Sequence, residues 1–145
     1  MRLAPFLALL STVSCARPYQ TPPPVPLNAD EVHLRGCYRL IVEPWGGVGD
    51  SSSIFVFQLD SLGSSQARYL KVLSSPEPAY RMAYWNSTGP NAFMARLVWG
   101  VEGQGFSFQM RLTGDSLVGA AAKHGWPGDL HLAGARGAKQ PCPVS

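Results

Sequence analysis

Between residues 35 and 133, apolar and polar side chains alternate in short runs, and clusters of turn-forming residues separate one run from the next. Tyr38, Leu40 and Val42 fall on one face of the first run, with Arg39 on the other. Phe55, Phe57 and Leu59 share a face in the second. Further on, Phe93, Ala95, Leu97 and Trp99 oppose Arg96, and Phe106, Phe108, Met110 and Leu112 oppose Gln109 and Arg111. A period of two residues marks strands buried on one side only. The pattern predicts strands over 35–43, 53–60, 68–74, 79–85, 92–100, 105–113, 116–124 and 129–133, and no long run carries the helical period. The breaks at 46–50, 61–65, 75–78, 86–91, 102–104, 114–115 and 125–128 hold glycine, proline, asparagine, aspartate and serine, residues that tolerate turn geometry or end a strand.

Short connections between successive strands predict an antiparallel meander. A sheet with one apolar face and no helices covers that face by closing on itself. The expected fold is all-β, a single small up-and-down β-barrel of about eight strands. Strands that cross a membrane run about 9 to 11 residues and turn their apolar side chains to lipid. Several runs here are shorter, and the mixed face carries Arg39, Arg96 and Arg111, so a soluble barrel is expected.

Composition agrees with this picture. A chain of 145 residues, 46% of them hydrophobic, holds one domain with a core of its own. Charged residues make up 14% of the chain, with 15 glycines and 13 prolines, where about 25% charged is usual; this suits a turn-rich β protein. A formal net charge of +3 is too small to point to nucleic acid.

The start of the chain carries an address. In residues 1–14, Arg2 precedes Leu3, Ala4, Phe6, Leu7, Ala8, Leu9 and Leu10. This apolar run is a secretory signal, too short for a membrane-spanning helix of about 20 residues. Thr12, Val13, Ser14 and Cys15 resemble the lipobox of bacterial lipoproteins. The resemblance implies that Cys15 becomes the first residue and carries acyl chains such as palmitate. That makes the membrane a partner through an N-terminal lipid anchor, and Ala16 in the next position favours the outer membrane, facing the periplasm. Ordinary signal cleavage after Ala16 is the alternative, since Ser14 and Ala16 also form a small-x-small site. Residues 17–28 contain Pro18, Pro22, Pro23, Pro24 and Pro26. As an extended tether, at ~3.1 Å per residue, they reach roughly 35 to 40 Å; a proline-recognition ligand is the other reading of the same stretch. The expected organisation is a signal over 1–14, a lipidated cysteine and tether over 15–34, and the barrel over 35–145.

Three cysteines in an exported chain leave one odd. With Cys15 lipidated, Cys37 and Cys142 remain to pair in an oxidising periplasm; two free buried thiols are the alternative. A bridge closing a loop of about 105 residues contributes up to about 4 to 5 kcal/mol in the chain-entropy model.

Gly36, Cys37 and Tyr38, at the head of eight alternating runs, are similar to the Gly-x-Trp start of the calycin group, the lipocalins and their small bacterial relatives. The resemblance implies a barrel that holds a small apolar ligand, and compact exported barrels of this size also include inhibitors of hydrolases. The residues expected to line a ligand are Tyr38, Phe55, Phe57, Trp99, Phe106 and Phe108, with the small run Gly119, Ala120, Ala121 and Ala122 opposite. The same rings also suit a barrel filled by its own side chains. Trp45 and Trp126 lie in predicted loops and are candidate contacts for a protein partner.

Other motifs carry less. Gly114, Asp115, Ser116 and Leu117 spell the signature of the GDSL esterases, but they fall between two strands and read as a hairpin turn. His33, His124 and His131 lack the spacing of a metal site, and the acidic residues include no close pair of the kind a glycosidase needs. Asn86, Ser87 and Thr88 form a sequon read here as a turn. The expectation is a non-catalytic envelope lipoprotein with no cofactor, binding a small apolar ligand in its barrel. The alternative is a protein-binding module, such as an inhibitor of an exported hydrolase, acting through its loops on an envelope protein.

Overall fold

A computed structural model describes residues 25–64, 67–100, 103–125 and 128–144. Helix α1 (Ala29–Leu34) precedes eight strands, β1 (Gly36–Val42), β2 (Ser53–Gly63), β3 (Arg68–Ser74), β4 (Met82–Gly89), β5 (Ala92–Val98), β6 (Gly105–Thr113), β7 (Ser116–His124) and β8 (Leu130–Gln140). Each strand is antiparallel to the next, and β8 pairs back onto β1 from Cys37 opposite Gln140 to Val42 opposite Ala135. The result is the closed up-and-down barrel that the alternation predicts, an architecture compatible with the calycin type.

The inward set follows the two-residue period. Tyr38, Leu40, Val42, Phe55, Phe57, Leu59, Leu97, Phe106 and Phe108 are all buried. Large rings on β1, β2, β5 and β6 are matched by small inward positions on β7 and β8, Ala121 and Ala135 among them, so that the barrel closes around unequal side chains. At Gly119 a Cβ would run into the carbonyl oxygen of Gln109, and at Gly137 into that of Arg39. Both glycines permit a close approach between neighbouring strands, as strands that curve around a small barrel require.

Three strands differ from expectation by more than two residues, and the first, β2, runs on past 60 through the expected break to Gly63. β4 begins at Met82, not 79, and runs through Asn86, Ser87 and Thr88 to Gly89, so the turn expected over 86–91 contracts to Pro90 and Asn91. β8 continues past 133 to Gln140. The stretch Gly134, Ala135, Arg136, Gly137 and Ala138 has too little apolar contrast to announce a strand, because its inward residues face large rings and are therefore small.

The folded body also starts before residue 35. Asn28 caps α1, its side chain accepting from Glu31 N at 2.8 Å while Glu31 Oε2 accepts from Asn28 N at 3.0 Å, a reciprocal capping box. Leu34 is buried, and its carbonyl accepts from the Tyr38 hydroxyl at 2.5 Å. Lys139 Nζ lies 5.9 Å from the centre of the Tyr38 ring, within cation–π range. Burial pushes the Tyr38 phenol up to about 12. Helix α1 thus stoppers one end of the barrel. Cys37 and Cys142 form the expected disulfide, with Cα atoms 5.1 Å apart, beside the β1–β8 junction.

Candidate functional site

The six residues expected to line a ligand are brought together, and they fill the space between the strands with one another. Ring centres lie 4.8 Å apart for Phe55 and Phe106, 5.0 Å for Phe55 and Phe108, 6.0 Å for Phe57 and Phe108, and 6.3 Å for Tyr38 and Phe57. The tilted and edge-on pairings are those of a packed aromatic core. Phe55, Phe57, Phe108 and Tyr38 are fully buried, and Phe106 nearly so. Trp99 is only partly buried and sits above them at the end away from α1, 4.7 Å from Phe106.

That open end is the barrel mouth. Trp45, in the loop after β1, folds back and stacks on Phe106 at 5.6 Å and 20°. Its loop is shaped by Gly47 N donating to Asp50 Oδ2 at 2.7 Å, and Val48 projects fully into solvent. A hollow of about 290 Å³ beside Trp45 is lined by Asp50, Lys123, Asp129 and His131. The alternation of β8 places His131 toward solvent, and the residue is exposed. Leu130 and Leu132 are 56% and 71% exposed on the outside, and His131 faces Lys123 at the mouth. Trp126, the other expected loop contact, lies outside the described residues, as does Cys15.

A second opening interrupts the wall. β3 and β4 pair only at Arg68 opposite Trp85 and Tyr69 opposite Tyr84, whereas β6 and β7 pair from Gly105 opposite His124 to Thr113 opposite Ser116. From Leu70 to Ser74, β3 stays paired to β2 alone. The strands splay toward the mouth around a hollow of about 730 Å³ lined by β3, the connection through Pro78 and Tyr80, and the start of β4. Tyr80 packs edge-on against Trp99 at 6.4 Å, and its buried hydroxyl lies beside Ser75 and the Glu77 backbone. The seam and the mouth therefore share one aromatic chain, Tyr80, Trp99, Phe106 and Trp45. Sequence reading missed the seam, since 68–74 and 79–85 look like an ordinary pair of strands. The only local signal is the pair of prolines, Pro76 and Pro78, in the connection between them.

Sequence reading also missed a Ser–His contact. Ser107 Oγ lies 2.9 Å from His124 Nε2 on the outer wall. Burial and the neighbouring Arg96 guanidinium hold the imidazole below its ordinary value, which weakens it as a base. A nucleophile–base pair also needs an orienting acceptor, and a cation stands beside this one. Ser116, in the Gly-Asp-Ser-Leu stretch, is an exposed residue at the start of β7, after a two-residue turn in which Gly114 has φ 59°. Among the described residues, no three of His, Cys, Asp and Glu are placed to hold a metal ion, and no helix is long and apolar enough to cross a membrane.

Compared with family models, with curated proteins and with solved structures, the chain matches none.

Proposed function

We propose that this chain is a non-catalytic lipoprotein of the cell envelope that binds a partner protein through the open end and outer wall of its barrel. The observation that carries the reading is the mutual packing of Tyr38, Phe55, Phe57, Phe106 and Phe108. An interior ligand would have to displace rings that already hold one another, at a cost of several kcal/mol of lost core contact. Groups free to meet a partner lie outside this core: Trp45 and the exposed Val48 at the mouth, the splayed seam, and the exposed Val118 and Leu132 on the wall. Interfaces draw on such half-buried aromatics and surface apolar groups. The expected lipid on Cys15, with the proline-rich segment behind it, would hold the domain at the membrane where envelope proteins meet it.

The calycin-like carrier is the second reading, and Trp45 is what favours it. The indole is partly buried on Phe106, and its withdrawal would expose the aromatic core from the mouth to a small apolar ligand.

Photo-crosslinking in the envelope tests the first reading. A photoreactive residue is placed in turn at Val48, Tyr69 and Leu132, all exposed. One recurring protein adduct is expected at the positions that face the partner. Absence of any protein adduct at all three would overturn the proposal.

A further inference from the structure

We infer that the seam between β3 and β4 is a strand-addition site, built to take an extended segment of a partner protein that carries acidic side chains on its outward positions. The inference rests on the partner-binding reading and locates it. The first reason is hydrogen bonding. A strand sends the N–H and C=O groups of alternate residues to each side, and between Leu70 and Ser74 the side of β3 turned toward β4 has no ladder to receive them. Unpaired strand edges are templates for another strand, and an extended peptide entering such an edge gains affinity from main-chain bonds. The other wall of the cleft is supplied by β4, whose Met82 and Ala83 bond to β5 and not to β3.

The second reason is shape. The cleft is closed at the Tyr69–Tyr84 pair and widens toward the mouth, so a strand can enter from the open end without breaking an existing ladder. Five residues of β3 edge span roughly 17 Å at ~3.3 Å per residue, enough to register a short segment. The third reason is chemistry. Inward side chains of an added strand would meet Val72 and Tyr80. Outward side chains would meet Lys71 and Arg81, both exposed and without an ion pair among the described residues. Two cations against the single carboxylate of Glu77 select an acidic segment.

The test uses the whole chain and a phage-displayed library of random heptapeptides, followed by residue-resolved amide exchange of the chain with the enriched peptides. Enrichment of proline-free sequences alternating apolar and acidic residues is expected, with at least tenfold slower exchange at amides within Leu70–Ser74. A Lys71→Cys/Met82→Cys pair continues the register of Tyr69 and Tyr84. Its oxidation would zip the seam and abolish binding, whereas Ser107→Cys/Ala122→Cys, placed across an existing ladder, would leave binding unchanged. Protection confined to the 43–52 loop would overturn the seam while leaving a partner-binding module standing. No enrichment, or binding indifferent to the zipped seam, would overturn the strand-addition site outright.

Discussion

Arg68 grips both carboxylate oxygens of Glu31, Nε to Oε1 at 3.1 Å and Nη2 to Oε2 at 2.9 Å, with both side chains almost fully buried at 1% and 2% exposure. The same guanidinium donates to Val25 O at 2.6 Å, Pro26 O at 2.9 Å and Gly63 O at 3.2 Å. One side chain of β3 thus ties together the incoming chain, helix α1 and the β2–β3 connection. Such saturation is what makes a buried charge tolerable. It also fixes the stopper at one end of the barrel, leaving the other end and the seam as the places where the wall is unfinished.

Removing the carboxylate should therefore cost more than an ordinary surface change. Glu31→Ala leaves Arg68 buried without its counter-charge, and a loss of about 3 kcal/mol is expected, the low end for a broken buried pair because the carbonyls of Val25, Pro26, Ser61 and Gly63 remain as acceptors. Urea denaturation of the variant checks this. A loss under about 0.5 kcal/mol, the usual range for surface sites, would contradict the assignment.

The same pair sets a pH dependence. The hydrogen bond from Arg68, ahead of the backbone bond from Asn28, holds Glu31 below its ordinary value of 4.5 despite its burial. A lowered folded-state value means that the unfolded chain takes up the proton first as pH falls. The contribution is then full above 4.5 and is lost as pH drops through the folded-state value. Melting temperature measured from pH 6 downward should fall in that acid range for the native chain, with a smaller slope for Glu31→Gln. Parallel slopes would contradict the linkage.

The disulfide joins residues separated by 105 positions next to the strands that close the barrel. Cys37 is buried, and Cys142 is exposed at the chain's end. Replacing both with serine should lower stability by about 2 to 5 kcal/mol. Equal melting temperatures with and without reductant would count against it.

Core and mouth aromatics should separate in a truncation series. Phe57→Ala, deep in the core, is expected to cost about 3 to 5 kcal/mol through the cavity it leaves. Trp45→Ala removes a ring that is only partly buried and should cost less than half of that. Partner binding, in contrast, should fall with Trp45→Ala. Similar losses of stability at both positions would show that Trp45 is core.

Most of the fold can be read from the chain because a half-buried strand prints its two faces as alternating residues. Phe106, Phe108, Met110 and Leu112 announce β6 to the residue. The end of β8 is silent, since Ala135 and Gly137 oppose bulky neighbours and show no contrast. Helix α1 spans six residues, too few to display a period, although Asn28 and Glu31 spell its capping box. The rings at the proposed site were legible as a set, but whether rings enclose space or fill it depends on distances that no pattern records. The seam left only the trace of Pro76 and Pro78 in the connection between its strands. Strand pairing is a property of two segments, and nothing within 68–74 or 79–85 says that their ladder stops after two residue pairs.

A barrel filled by its own rings leaves a partner only its outside. Native mass spectrometry of the purified domain, alone and after incubation with long-chain fatty acids and haem, tests this most directly. The bare mass of the chain is expected in every case, with tryptophan emission unchanged. A stoichiometric apolar adduct, quenching Trp45 and Trp99 and lost on Phe106→Trp, would contradict it and place the ligand among the rings.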